Sequence, residues 1–273
     1  MRIVITKASI FYNGRFYNGN FFIKGGYLEN LQLLHGDCLE LMQNIPDKSV
    51  DLILCDLPYG TTDADWDKII PLDQLWEQYN RIRKDSAPVA LFGVEPFTSK
   101  LITSNLKQYR YNWYWLKNNH TGFTYAKYQP LRKVETISVF YRKGGQYFPQ
   151  GLVKIGNPKE HKGRKNSELL RNTLNNTYTP KYKNYPKNVL EFANEATSNR
   201  NRLHPTQKPV KLLEYLIKTY TKENDIVLDN CMGSGSTGVA AVNTGRRFIG
   251  IEKENKYFDI ARQRIENAAF SVH

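Results

Sequence analysis

Residues 225–252, DIVLDNCMGSGSTGVAAVNTGRRFIGIE, decide the fold class of this 273-residue chain. An apolar run ends at Asp229, a glycine-rich loop follows, a short predicted helix ends at Gly245, and a second apolar run ends at Glu252. A strand, loop, helix and strand at this spacing predict a parallel β-α-β unit of the Rossmann-like type.

The glycine-rich loop of this unit indicates what it binds. Gly233–Gly238, GSGSTG, matches G-x-G-x-x-G, but three residues separate Asp229 from Gly233, whereas a dinucleotide fingerprint starts almost directly after its strand. A carboxylate at the strand tip suits a cationic cofactor such as S-adenosylmethionine and would repel a pyrophosphate. Glu252, at the tip of the next strand, is predicted to bind ribose hydroxyl groups. A plain tight turn and an NAD site are the alternatives.

The position of the unit predicts a rearranged strand order. Residues 253–273 are too few to supply the remaining strands, so these must lie upstream. The apolar run of VDLILCD at residues 50–56 is typical of a strand buried in a parallel sheet, and residues 71–84 show helical spacing of apolar residues. We therefore expect a Rossmann-like α/β fold with a mostly parallel sheet, helices on both faces, and the common order circularly permuted.

Charge indicates the class of partner. The formal net charge is +13, and residues 142–202 carry 13 Lys and Arg against four Asp and Glu. Basic surfaces of this kind favour nucleic acid, with an ordinary solvated face as the alternative. No apolar run approaches the roughly 18 residues of a membrane span, and residues 1–14 lack a signal-like core. We expect a cytoplasmic protein without a membrane partner.

Two further features are read as structural. FYNGRFYNGNFF, within the first 30 residues, pairs Asn-Gly with aromatic residues and predicts a β-ribbon. Cys38, Cys55 and Cys231 are far apart in the sequence and form no C-x-x-C pair, so we expect buried, reduced thiols and no metal site.

Four motifs in order resemble the β-group of DNA amino-methyltransferases, S-adenosylmethionine-dependent enzymes that methylate adenine N6 or cytosine N4. Gly36-Asp37 resembles the short G-D motif, and DLPY at residues 56–59 the catalytic (D/N/S)-P-P-(Y/F/W). HPTQKP at residues 204–209 and DNCMGSGST at residues 229–237 resemble the last two motifs. The resemblance spans roughly Leu31 to Ala268.

The resemblance implies a division of the chain and a set of site residues. It implies a catalytic half at 31–145, a target-recognition insert at 146–202 and a cofactor-binding half at 203–273, after the ribbon at 1–30. The implied catalytic residues are Asp56, Leu57, Pro58 and Tyr59. The implied cofactor-binding residues are Asp37, Thr206, Lys208, Asp229, Cys231, Gly233, Ser234, Gly235, Ser236, Thr237 and Glu252. The DNA-binding candidates are Trp66, Lys162, Arg164, Lys165, Arg171, Lys181 and Lys183.

Individual roles follow from the same resemblance. Lys208 is expected to pair with the cofactor carboxylate, and Asp37 to reach its adenine ring. Trp66 is a candidate lining residue of the base pocket, with core packing as the alternative. Leu57 replaces the family's usual proline, but it keeps the backbone carbonyl that the family uses, so we expect activity to survive.

The chemistry at Asp56 follows from the substrate. The lone pair of an exocyclic amine is delocalised into the ring. A carboxylate and a carbonyl that accept hydrogen bonds from its two N–H groups draw the nitrogen toward tetrahedral geometry. The base must leave the duplex, and Tyr59 offers it a stacking ring. Asp at the first motif position favours adenine. Cytosine-N4 methylation, methylation of RNA or of a protein amide, and an inactive DNA-binding protein stay open.

The expected partner is double-stranded DNA in a bacterial or phage-infected cell. Members of the family often dimerise, so a homodimer is also an expectation.

Overall fold

The computed structural model describes residues 4–12, 15–23, 31–61, 67–161, 177–194 and 207–271, with the backbone alone for the first two ranges. The chain forms two compact units. One comprises Met1–Tyr147 and Asn188–His273, and the other comprises Phe148–Lys187. Among the described residues, no helix is both long and apolar enough to cross a membrane.

Strands and helices alternate through most of the first unit. The strands are β1 (Val4–Tyr12), β2 (Arg15–Ile23), β3 (Leu31–His35), β4 (Leu52–Cys55), β5 (Val89–Gly93), β6 (Tyr109–Thr121), β7 (Arg132–Phe140), β8 (Val153–Lys154), β9 (Tyr182–Lys183), β10 (Val189–Glu191), β11 (Ile226–Asp229) and β12 (Arg247–Glu252). The helices are α1 (Cys38–Met42), α2 (Leu72–Ile82), α3 (Phe97–Ser104), α4 (Val210–Tyr220), α5 (Ser236–Asn243) and α6 (Asn255–Ser271), and Phe123–Tyr125 forms a 3₁₀ turn.

The described strands of the first unit form one sheet in the order β1-β2-β3-β12-β11-β4-β5-β7-β6-β10. From β3 to β5 all neighbours are parallel, β7 is antiparallel to both β5 and β6, and β10 is parallel to β6. The last two strands of the chain, β11 and β12, therefore lie in the middle of the sheet. The predicted circular permutation of a mostly parallel α/β sheet is confirmed.

Both faces of the sheet are covered by helices, as predicted. Alternate residues of a strand point to opposite faces: in β4, Leu52 and Leu54 pack into one apolar cluster, and Ile53 and Cys55 into the other. The first cluster contains the buried side chains of α4, α5 and α6, and the second contains those of α1, α2 and α3.

This topology fixes the place of the ligand site. From β11 the chain crosses through α5 to β12 on one side, and from β4 it crosses through α2 to β5 on the other. Ligands of open α/β sheets bind where adjacent crossovers diverge, outside the carboxyl ends of the strands. Here those ends carry Asp229 and Asp56.

Several short elements were not predicted from the sequence, among them α3 and β10. α3 has only Phe97 and Leu101 as large buried apolar side chains, too few to reveal a helical period. β10 lies within the basic region at 142–202, and only Leu190 of this edge strand is buried. The β1–β2 hairpin pairs Tyr12 with Arg15.

Candidate functional site

A cavity of about 370 Å³ opens at the carboxyl edge of β4, β11 and β12, a size ordinary for a small-molecule site. It is lined by 13 of the residues that the sequence singled out: Asp37, Asp56, Leu57, Pro58, Tyr59, Lys208, Asp229, Cys231, Gly233, Ser234, Ser236, Thr237 and Glu252. The fold thus brings the DLPY segment and the glycine-rich loop, 170 residues apart in the sequence, into one pocket.

Asp56 is the first residue after β4 and is held from two sides. Its Oδ1 accepts a hydrogen bond from the Tyr59 hydroxyl, and its Oδ2 lies 2.7 Å from Lys208 Nζ. Burial raises the pKa of Asp56, the Lys208 ammonium opposes that rise, and the nearby Glu135 carboxylate adds to it. Burial also raises the pKa of Tyr59 well above its ordinary value, so its hydroxyl keeps its proton and donates.

Lys208 belongs to a chain of alternating buried charges that the sequence did not reveal. Its Nζ also lies 3.1 Å from Glu135 Oε2, and Glu135 Oε1 lies 3.0 Å from Lys117 Nζ. Burial alone would raise the pKa of Glu135, but the two ammonium groups outweigh it and the pKa is lowered. Lys208, which is expected to pair with the cofactor carboxylate, thus makes ion pairs with Asp56 and Glu135, and these two carboxylates compensate its buried positive charge.

Asp67 anchors the segment that follows Asp56. Its Oδ1 accepts hydrogen bonds from the backbone N–H groups of Tyr59 and Gly60 at 2.7 and 3.0 Å, and its Oδ2 accepts one from Thr61 at 2.8 Å. Gly60 has φ +65°, and an added Cβ would lie 2.8 Å from Ile69 Cγ1. A carboxylate that accepts three backbone donors fixes where Tyr59 lies.

Two side chains of the DLPY segment pack against apolar neighbours. The Tyr59 ring lies 5.1 Å from the Phe97 ring, centroid to centroid. Leu57 is buried in the same cluster as the α2 side chains. Its side chain therefore contributes packing, in addition to the backbone carbonyl that the resemblance implies.

The glycine-rich loop is tied to the two acids at the strand tips. Asp229 accepts a hydrogen bond from Cys231 N at 3.1 Å, and burial raises the pKa of Asp229 to about 6. Glu252 accepts from Gly233 N at 2.8 Å and from Glu254 N at 2.8 Å. Burial raises the pKa of Glu252, and those backbone donors oppose the rise. Because each carboxylate oxygen can accept two bonds, both acids keep acceptor capacity toward the cavity.

Arg264 of α6 braces the same loop, a contact that no sequence pattern indicated. Its Nη1 lies 2.6 Å from Ser234 O, 3.0 Å from Ser234 Oγ and 3.2 Å from Ser236 Oγ. Gly235 does not line the cavity. It has φ +80° and approaches Ala261 so closely that an added Cβ would lie 2.9 Å from its Cα. Ser234, Gly235 and Ser236 thus shape the loop by contact with α6.

Asp37 and Cys231 lie on the cavity wall with protein partners of their own. Asp37 caps α1, accepting a hydrogen bond from Leu39 N at 2.9 Å, and its other oxygen lies 3.5 Å from Lys253 Nζ. Cys231 Sγ accepts from Asn230 Nδ2 at 3.5 Å. All three cysteines are free thiols.

The predicted DNA contacts are only partly described. Trp66, Lys162, Arg164, Lys165 and Arg171 lie outside the described residues, as does Thr206, which is predicted to bind the cofactor. Lys181 and Lys183 are exposed in the Phe148–Lys187 unit, where β9 pairs with β8 and the Tyr182 ring is also exposed.

Comparison with known proteins agrees with this geometry. Residues 50–263 match a family model described as DNA methylase (N6_N4_Mtase). The chain is 30% identical over 282 residues to the type II methyltransferase M2.DpnII of Streptococcus pneumoniae, covering 92% of this chain and 95% of that one. It is 28% identical over 250 residues to the type II methyltransferase M.HpaI of Haemophilus parainfluenzae, covering 86% and 74%.

Solved structures show the same fold. The M1.HpyAVI–SAM complex superposes with a TM-score of 0.58 at 25% identity, covering 86% of this chain and 98% of that one. The PvuII DNA methyltransferase, which is cytosine-N4-specific, gives a TM-score of 0.61 at 17% identity and covers 89% and 92%.

Proposed function

Because the chain belongs to the N6/N4 DNA methylase family, we propose that it transfers a methyl group from S-adenosylmethionine to the exocyclic N6 amine of an adenine in double-stranded DNA. The observation that carries this proposal is the shared cavity. It joins Asp56, a base-side acceptor, to Asp229, Gly233 and Glu252 of the cofactor half. The +13 net charge suits a polyanionic substrate.

The cofactor end of the cavity fits S-adenosylmethionine. Asp229 is a buried carboxylate with a raised pKa, so a positively charged ligand nearby would stabilise its ionised form. The carboxylates of Asp229 and Glu252 both line the cavity, which suits a ligand that carries an ammonium group and ribose hydroxyls. When bound, the cofactor supplies a methyl group on a positively charged sulfur.

On the base side, the residues of the DLPY segment have separate tasks. Asp56 accepts one proton of the amine in a hydrogen bond and the Leu57 carbonyl accepts the other, so that the nitrogen lone pair turns toward the methyl donor. Asp56, whose pKa burial raises, is also a better base than an exposed aspartate for the proton that the amine loses. The ring of Tyr59, fixed through Asp67 and Phe97, offers a stacking surface.

Adenine is the proposed target because Asp stands first in the motif, where resembling cytosine-N4 enzymes more often carry Ser. The relatives named above are bacterial type II methyltransferases, and we expect a restriction–modification role in the cytoplasm of a bacterial or phage-infected cell. A homodimer stays a prediction.

The test is to incubate the protein with isotopically labelled S-adenosylmethionine and unmethylated mixed-sequence duplex DNA, then digest the DNA and identify the labelled nucleoside. N6-methyldeoxyadenosine is the expected product. Labelled N4-methyldeoxycytidine would overturn the choice of base, label in RNA alone would overturn the choice of DNA, and no transfer to any nucleic acid would overturn the proposal.

A further inference from the structure

The β6–β7 hairpin extends beyond the edge of the sheet. The pairing of β7 with β5 ends at Thr136, which lies opposite Gly93, the last residue of β5. β7 begins four residues earlier, at Arg132, which pairs with Thr121 of β6. At about 3.3 Å per residue, the paired strands overhang β5 by about 13 Å before the connecting segment begins. We call residues 121–133 the hairpin tip.

The tip projects from the edge that carries the active site. β7 is antiparallel to both β5 and β6, so β6 runs in the direction of β5 and β4 and ends at their carboxyl edge. Glu135, at the root of the tip, is joined through Lys208 to Asp56 by contacts of 3.1 and 2.7 Å. The tip therefore projects from the same edge of the sheet as the cavity, on the β7 and β6 side of β5.

The backbone of the tip is ordered by its own turns. Tyr125 N donates to Gly122 O at 3.0 Å, Ala126 N to Phe123 O at 3.1 Å, and Tyr128 N to Tyr125 O at 2.9 Å. Gly122, with φ +98°, starts this series in a conformation that favours glycine. The exposed side chains of the tip are thus presented from a defined backbone.

Three aromatic side chains of the tip are turned to solvent. Tyr128 is 87% exposed, Phe123 67% and Tyr125 56%. Single exposed apolar side chains are common on soluble proteins, but three large rings within six residues mark a contact surface. Rings on an ordered support can stack on any base, because every base has a π-face.

The charge of the hairpin tip indicates which class of partner it binds. Lys127, Arg132 and Lys133 are exposed, and the sequence from 118 to 134 contains no Asp or Glu. Cations interleaved with aromatic rings are the footprint of a surface that binds phosphates and unstacked bases. A protein partner would more often meet mixed charges.

We propose that the hairpin tip is a DNA-contacting element in addition to the basic insert. Lys127, Arg132 and Lys133 bind phosphates beside the target, and Phe123, Tyr125 and Tyr128 stack on bases that lose a neighbour when the target base turns out. Turning out a base costs a few kcal/mol, and each stacked base returns about 1–3 kcal/mol. This inference rests on the proposed function, since it takes duplex DNA as the substrate.

The test compares the wild-type protein with an aromatic variant, Phe123→Ser/Tyr125→Ser/Tyr128→Ser, and a charge variant, Lys127→Ala/Arg132→Ala/Lys133→Ala. The matched control is Leu106→Ser/Lys107→Ala. It removes an exposed apolar side chain and an exposed cation just before β6, at the opposite end of the hairpin, where the partner strand β7 spans about 26 Å from Arg132 to Phe140. The measurements are KM for unmethylated plasmid DNA, Kd for a fluorescent mixed-sequence duplex between 50 and 200 mM salt, roughly the range over which phosphate contacts weaken, and Kd for S-adenosylmethionine.

The aromatic variant is expected to raise KM for DNA at least tenfold, a loss of about 1.4 kcal/mol, while its Kd for S-adenosylmethionine stays unchanged. The charge variant is expected to make the log Kd against log salt slope shallower by about 2.7, or about 0.9 per lost phosphate contact. The control should match the wild type in both respects.

If the wild type methylates DNA but both tip variants match it in KM and salt slope, the tip is not a DNA contact and the proposed function stands. If the wild type transfers no methyl group to DNA, the proposed function itself fails. Binding of the wild type to anionic phospholipid vesicles that the tip variants lose, with KM for DNA unchanged, would assign the tip to a membrane surface and overturn the inference.

Discussion

Replacing Lys208 with methionine should disable transfer through Asp56 and leave cofactor binding intact. Lys208 Nζ lies between Asp56 and Glu135 at 2.7 and 3.1 Å, and its side chain is only 8% exposed. Methionine keeps most of the buried volume and removes the charge. Two carboxylates that shared one cation then face each other across an apolar side chain.

The size of the effect follows from these distances. With an effective dielectric constant of about 20, contacts at 2.7 and 3.1 Å correspond to about 6 and about 5 kcal/mol of Coulomb attraction. The desolvation of the ammonium offsets part of this, and removing one partner of a buried ion pair costs about 3–5 kcal/mol in practice. If about 3 kcal/mol of this cost raises the activation free energy of methyl transfer, kcat decreases about 100-fold.

The pH dependence of kcat distinguishes an electrostatic role of Lys208 toward Asp56 from a purely structural role. Burial already raises the pKa of Asp56, and Lys208 is the main group opposing that rise, so its loss raises the pKa further. The active form is the carboxylate. A higher pKa lowers the ionised fraction at a given pH, so kcat of the variant should rise with pH across a range where the wild type is already flat.

The assay measures kcat against pH, Kd for S-adenosylmethionine by calorimetry, and thermal unfolding to establish that the variant is folded. The matched control is Lys211→Met, which removes an exposed lysine in the first turn of α4 that pairs with Glu214, and should cost less than about 1 kcal/mol. The reasoning is refuted if Lys208→Met keeps the wild-type kcat and pH profile while its Kd for S-adenosylmethionine rises steeply. That result would place Lys208 on the cofactor carboxylate.

Three further predictions concern the rest of the site. Asp67→Asn should lower kcat about 10- to 100-fold with the Kd for S-adenosylmethionine unchanged, because hydrogen bonds worth about 1.5–3 kcal/mol each position the DLPY segment. The wild-type Kd for S-adenosylmethionine should be about tenfold weaker at pH 5 than at pH 7, since protonation of Asp229, with a pKa of about 6, removes its charge; Asp229→Asn should lose this dependence. Leu57→Ala should lower the free energy of unfolding by about 2–5 kcal/mol in urea titrations, because the side chain is buried.

Each of these has an outcome that contradicts it. Unchanged kcat in Asp67→Asn would show that the segment holds its shape without the carboxylate. A Kd for S-adenosylmethionine that is flat from pH 5 to pH 7 in the wild type would remove Asp229 from contact with the ligand's positive charge. A Leu57→Ala protein as stable as the wild type would mean that the core closes around the missing atoms.

The sheet could be predicted from the sequence because its central strands have a recognisable local pattern. β4, β5 and β11 are short apolar runs that lead into or end at Asp56, Gly93 and Asp229. The turn after Asp56 contains proline and glycine, and the loop after Asp229 is rich in glycine. The permutation followed from counting the residues left after Glu252. Local pattern was sufficient wherever the functional residue sits in a motif at a strand end.

The rest of the site depends on contacts between distant segments. Glu135 reads as an ordinary residue of an alternating strand, and only the pairing of β7 with β5 brings it to Lys208. Asp67 lies in a loop without a pattern, and Arg264 looks like one more charge on the last helix. Such roles are set by the register of the sheet and by helix packing, which residue types alone do not encode. Predicting the partners of Lys208 would have required knowing in advance that Asp56 and Glu135 lie within reach of it.

The most direct test of the central claim compares the wild type with Asp56→Ala in two measurements on the same samples: calorimetric binding of S-adenosylmethionine and single-turnover methyl transfer to duplex DNA. All four of Asp56, Asp229, Gly233 and Glu252 line the cavity, and we propose that Asp56 faces the target base and the other three face the cofactor. The variant should therefore bind S-adenosylmethionine as the wild type does and transfer no detectable methyl group to adenine. Near-normal transfer by Asp56→Ala would contradict the assignment of Asp56 as the acceptor for the target amine.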